Sequence, residues 1–125
     1  MKKEKTKILI IEDDSFLIKA YQIKFERSGY DVLVALDGDE GFKMAKKEMP
    51  KLIVLDLMLP KMNGFEFLKK IKSDESMKGI PVVALSNLGQ RSDQEKAFSL
   101  GAVEYFIKTE YTLEEIINKI SKYIK

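Results

Sequence analysis

The chain has 125 residues, 45% of them apolar, with 22 Lys and Arg against 20 Asp and Glu and a net charge of +2. That is one domain's length with apolar material enough for a core, and its near-balanced charge gives no basis for direct nucleic-acid or membrane binding. Cysteine and histidine are both absent, which excludes disulfides, thiolate metal sites, cysteine nucleophiles, histidine acid–base catalysis and a phosphohistidine carrier. No apolar run approaches the roughly 20 residues of a membrane span, and the Lys-rich start lacks the apolar segment of a signal peptide. A cytoplasmic protein is expected, forming a single domain over residues 1–125 with a charged tail over 1–6.

The first element is an apolar run, Ile8 to Ile11, which reads as a strand buried on both faces. It ends on Glu12, Asp13 and Asp14. A helix follows with Leu17, Ala20, Tyr21 and Phe25 on one face, Asp14 or Ser15 as its N-cap and Gly29 just past its end. Asp31 to Ala35 is a short strand. Asp37 and Glu40 have capping-box spacing for a helix carrying Phe42, Ala45 and Met49, which stops by Pro50. Leu52 to Leu55 is a third strand, and it ends abruptly on Asp56. Pro60 and Asn63-Gly64 mark a loop and turn, and Phe65, Leu68 and Ile71 mark the next helix. Pro81 to Leu85 is a fourth strand, ending on Ser86. Ser92 and Glu95 have capping-box spacing for a short helix that ends near Leu100-Gly101. Tyr105 to Ile107 is a fifth strand, ending on Lys108. Thr112 and Glu115 open a last helix with Leu113, Ile116, Ile117, Ile120, Tyr123 and Ile124 on its apolar face. Strand and helix alternate five times. The expected fold is α/β: a doubly wound (βα)5 chain with a five-stranded parallel sheet between helices, in three layers.

Four of the five strands end on polar residues able to do chemistry: Glu12/Asp13, Asp56, Ser86 and Lys108. A parallel sheet brings all these ends to one edge, where open α/β sheets bind ligands. Crowded carboxylates repel one another unless a cation intervenes. An all-oxygen cluster suits a hard divalent ion such as Mg²⁺, with room left for phosphate oxygens. A carboxylate such as Asp56 is a competent nucleophile towards phosphorus. Metal and lysine together would hold the charge of a transferring phosphoryl group, and Ser86 would donate to it. Asp14 reads as a helix cap and is left out of the metal site. Met58 and Met62 read as loop packing.

The chain resembles the receiver domain of bacterial two-component response regulators, a CheY-like, flavodoxin-like fold. The matching motifs are IIEDD (Ile10 to Asp14), LDLMLPKMNG (Leu55 to Gly64), ALS (Ala84 to Ser86) and GAVEYFIK (Gly101 to Lys108), and the resemblance runs from about Lys7 to Ile124. It implies that Asp56 is the phosphoacceptor. It implies a Mg²⁺ site (Mn²⁺ as a substitute) at Asp13, Asp56 and the Met58 backbone carbonyl, with Glu12 acting through water. Lys108 would pair with the phosphoryl group. Ser86 and Tyr105 would form the switch pair, the hydroxyl moving towards the phosphate and the ring turning inward. The face made by the fourth helix, fifth strand and fifth helix would then change its affinity for a downstream target. The donor would be a histidine kinase or phosphotransfer protein, and the receiver a monomer or a weak phosphorylation-dependent dimer. Enzymatic activity would amount at most to self-phosphorylation and autodephosphorylation.

Two positions depart from the family pattern. Thr109 stands where a proline in a cis peptide is usual, so that bond is either a non-proline cis bond or trans with a differently shaped loop. Asn87 stands where a small residue is common, and would either narrow access to Asp56 or hydrogen-bond the phosphate. Alternative roles are a phosphorelay intermediate, a receiver cut from a hybrid kinase, and a phosphate-independent binding module. An aspartyl-phosphate phosphohydrolase of the haloacid dehalogenase type is disfavoured, because that family wants a second Asp two residues after the nucleophile and Met58 is there.

Overall fold

Alternating side chains along the five strands divide the interior into two cores, one on each face of the sheet. The computed structural model describes residues 5–124. Its elements are β1 (Lys7–Ile11), α1 (Ser15–Arg27), β2 (Asp31–Ala35), α2 (Gly38–Glu48), β3 (Leu52–Asp56), α3 (Gly64–Lys72), β4 (Val82–Ser86), α4 (Arg91–Ser99), β5 (Glu104–Ile107) and α5 (Leu113–Ile120). A 3₁₀ turn, Ser121–Tyr123, follows α5. Of the tail expected over 1–6, residues 1–4 lie outside the described residues. Lys5 is exposed, and the Thr6 carbonyl already accepts from the Asp31 N–H at 2.9 Å.

All strand pairs are parallel, in the order β2-β1-β3-β4-β5. Leu9, Ile11, Ile53, Leu55 and Ala84 face one way, onto Ala45 of α2, Phe67, Leu68 and Ile71 of α3, and Ala97 of α4. Ile8, Ile10, Leu52, Val54, Val83 and Leu85 face the other way, onto Tyr21 and Phe25 of α1 and Ile116 and Ile120 of α5. The expected three-layer α/β/α arrangement is therefore observed. β3 and β4 are buried at every position, which is why their sequences are continuous apolar runs and do not alternate.

Helix starts follow side-chain oxygens that accept free N–H groups of the first turn. Asp14 accepts from Phe16 and Leu17, Asp37 from Glu40, and Asn63 from Glu66. Thr112 and Glu115 form the reciprocal capping box. Gly29 follows the α1 C-cap, Ser28, with a φ of +92°.

Three expectations are corrected. The Ser92–Glu95 capping box does not form: α4 begins two residues earlier, with Gln90 at the N-cap, so Ser92 lies inside the first turn and Glu95 instead meets Arg91 at 3.1 Å. Met49 is the C-cap of α2 in a left-handed conformation and is exposed, off the helix's apolar face. Tyr123 and Ile124 lie beyond the end of α5, although Ile124 is still buried.

The β3–α3 loop closes tightly. The Gly64 N–H donates to the Leu57 carbonyl at 3.0 Å, and a Cβ on Gly64 would come within 2.5 Å of Leu57 Cα. Gly64→Ala is expected to destabilise the protein by roughly 1–3 kcal/mol, the usual range for overpacking against backbone. Gly79, where an added Cβ meets nothing within 4 Å, is the control. Urea unfolding of both variants tests this, and equal stabilities would contradict the close approach.

Candidate functional site

The strand order reverses at β1, so the carboxyl ends of β1 and β3 are neighbours. Register places Ile11 beside Leu55, Asp56 beside Leu85 and Ser86 beside Ile107. Glu12, Asp56, Ser86 and Lys108 therefore emerge at one level on one edge of the sheet. Glu12, Asp56 and Ser86 are the buried polar residues among those described, at 1%, 4% and 0% exposure. Asp13 is exposed on the solvent side of the group.

Each buried carboxylate has fixed partners. Glu12 Oε2 accepts from the Asp13 and Asp14 N–H groups at 3.1 and 3.2 Å. Asp56 Oδ1 accepts from the Met58 N–H at 2.9 Å. The remaining oxygens share one donor, the Lys108 ammonium, at 2.9 Å from Glu12 Oε1 and 3.1 Å from Asp56 Oδ2. Lys108 starts two strands away from β3, and its own N–H is anchored on the Ser86 carbonyl at 2.8 Å.

The charge balance is unfavourable: two buried carboxylates and a nearby third face a single ammonium. Burial pushes the Glu12 carboxyl up to about 7, with the neighbouring Asp56 adding to the rise and Lys108 opposing it. Burial alone would lower the Lys108 ammonium, but hydrogen bonding to Glu12 and the charges of Asp56 and Glu12 overcome this and raise it. One oxygen from each of Glu12, Asp13 and Asp56 can lie within 4.8 Å of the others. An all-oxygen, net-negative set of this kind, open to water through Asp13, fits a hard divalent cation. Asp14 is engaged as the α1 cap.

Ser86 and Tyr105 both bond the backbone of Leu88, at its N–H and its carbonyl. Ser86 Oγ accepts from the Leu88 N–H at 2.9 Å, and the Tyr105 hydroxyl donates to the Leu88 carbonyl at 2.7 Å. The Tyr105 ring is 8% exposed in the core under α4, and its burial raises the phenol. The ring is thus already inward here. Asn87 is exposed. No cis peptide bond occurs among the described residues, so the Lys108–Thr109 bond is trans. Met58 is 59% exposed and does not pack the loop as expected; Met62 does pack against the core. Two features had no sequence signal: the link at Leu88, whose role belongs to backbone atoms, and the direct Lys108–Glu12 pair, which joins residues 96 apart.

The chain belongs to the response regulator receiver domain family, whose model matches residues 8–121. Phosphorylation-dependent signalling in two-component systems is general to that family. Among similar proteins, the DNA-binding dual master transcriptional regulator RpaA of Synechocystis is 40% identical over 91% of this chain and 47% of its own length. The polar-differentiation response regulator DivK of Brucella ovis is 30% identical over 94% of each chain. The solved structure of the phosphorylated cyanobacterial phytochrome response regulator RcpA is 31% identical, with a TM-score of 0.85 over 96% of this chain and 94% of that one. The chain spans less than half the length of RpaA and of the Bacillus subtilis regulator PhoP, 47% and 42%. No helix among the described residues is long and apolar enough to cross a membrane.

Removing Lys108 leaves two buried carboxylates facing each other. Lys108→Ala is expected to destabilise the metal-free protein by on the order of 3 kcal/mol, and a second change, Asp56→Asn, should recover much of that loss. A denaturation double-mutant cycle measures the coupling; strictly additive effects would contradict the shared ion pair.

Proposed function

We propose that Asp56 accepts a phosphoryl group from a histidine kinase or phosphotransfer protein and that the resulting charge switches the binding of a downstream protein. The observation that carries this reading is the Lys108 ammonium bridging Glu12 and Asp56. A nucleophilic carboxylate is held next to the cation that an incoming phosphoryl group needs. Asp56 attacks phosphorus with one carboxylate oxygen, and the donor's phosphorus–nitrogen bond breaks with the imidazole as leaving group. Asp13, Asp56 and the Met58 carbonyl would hold Mg²⁺ (or Mn²⁺) directly, with Glu12 acting through water. The bound ion would neutralise charge on the transferring oxygens.

On phosphorylation, Lys108 trades its bond to Asp56 Oδ2 for one to the new phosphoryl oxygens. The Ser86 proton, not committed to Leu88, donates to the same group. The backbone of Leu88 links Ser86 to Tyr105, so a shift at Ser86 reaches the start of α4 and the Tyr105 side chain on β5. Phe98 of α4, 48% exposed, is an apolar residue of the α4-β5-α5 face that would meet a protein target. The unit taken for this role is residues 1–125, working in the cytoplasm as a monomer or weak phosphorylation-dependent dimer. Its net charge of +2 supports a protein target over nucleic acid.

The test is intact mass after incubation with acetyl phosphate. One added phosphoryl group is expected in the presence of Mg²⁺, and none without Mg²⁺ or in Asp56→Asn. An adduct that persists in Asp56→Asn would overturn the assignment.

A further inference from the structure

The sequence has six methionines, and those described differ sharply in access. Met77 is fully buried, and Met44 and Met62 pack against the core under α2, α3 and α4. Only Met49 and Met58 among them are exposed, at 46% and 59%. They lie at opposite edges of the sheet. Met49 caps the end of α2 just before β3 begins, whereas Met58 follows β3 and its N–H holds Asp56 Oδ1 at 2.9 Å. Met58 is therefore the exposed thioether on the loop whose backbone holds Asp56.

We propose that Met58 is an oxidation site through which peroxide shortens the lifetime of the phosphorylated state. This rests on the reading of Asp56 as the phosphoacceptor. The chemistry needs only hydrogen peroxide as co-reactant. A sulfur lone pair attacks one peroxide oxygen and the O–O bond breaks. The proton on the transferred oxygen passes to the departing hydroxide, giving a sulfoxide and water; sulfur is oxidised and peroxide reduced. The product replaces an apolar, water-shedding side chain with a strong hydrogen-bond acceptor on that loop. Loss of the phosphoryl group requires water at phosphorus. A sulfoxide oxygen holding water on the loop raises the local supply, and the acyl phosphate is hydrolysed faster. Sulfoxide reductases reverse the change, so the site behaves as a resettable timer and not as a lesion.

Met49→Leu removes the other exposed thioether among the described residues and serves as the background. This protein is treated with hydrogen peroxide, mapped by peptide mass, phosphorylated with acetyl phosphate and Mg²⁺, freed of donor, and followed by intact mass. The expected result is one oxygen on Met58 and severalfold faster decay than in the untreated sample, reversed by methionine sulfoxide reductase. Met49→Leu/Met58→Leu should decay at its own untreated rate after peroxide. Unchanged decay with Met58 oxidised, resistance of Met58 to peroxide, or a peroxide effect that persists in the double variant would each overturn the proposal. Absence of any adduct on untreated protein would instead overturn the reading of Asp56.

Discussion

One ammonium, that of Lys108, holds together a site that is otherwise electrostatically unfavourable. Glu12 and Asp56 are almost entirely removed from water, where like charges repel strongly and each carboxylate is costly to desolvate. Lys108 reaches both and is fixed at its base by the Ser86 carbonyl. Even so, one cation does not balance the nearby acids, and burial, with Asp56 adding to it, pushes the Glu12 carboxyl up despite Lys108. A site with spare negative charge is poised for more positive charge, and a divalent ion beside a transferring phosphoryl group is the combination that suits it. The cluster holds carboxylates in mutual repulsion, which added positive charge would relieve.

Sheet topology makes this arrangement possible. The chain passes outward from β1 to β2 and then returns across to β3, β4 and β5, so two acid-bearing strand ends become neighbours without being adjacent in sequence. Burial of β3 and β4 on both faces fixes Asp56 and Ser86 rigidly, while the loops that carry Met58 and Leu88 supply backbone donors at the edge. Structure and chemistry are thus divided. The strands provide position, and the loop peptides provide hydrogen bonds that orient the side chains.

Much of this was legible in the residues because strand ends announce themselves. Apolar runs ending on Glu12, Asp56, Ser86 and Lys108 place those residues on one edge as soon as a parallel sheet is inferred, and the structure brings them together. What stayed hidden has physical reasons. The Lys108–Glu12 contact depends on a long side chain crossing from one strand end to another, which spacing cannot express. Leu88 acts through main-chain atoms, which are the same in every residue type but proline. Exposure of Met58 depends on how the loop turns back through Gly64 onto Leu57. The absent Ser92–Glu95 box shows the weakness of a spacing rule when a helix starts two residues early and a nearby arginine competes for the glutamate.

Borohydride reduction of the phosphorylated protein reads the acceptor directly, because an acyl phosphate is reduced to the alcohol and an aspartyl phosphate leaves homoserine in the chain. Peptide sequencing by mass is predicted to find homoserine in place of Asp56, with Glu12 and Asp13 unaltered. A reduced residue at position 12 or 13, with Asp56 intact, would contradict this account of how Lys108 and the β3 end divide the work of the site.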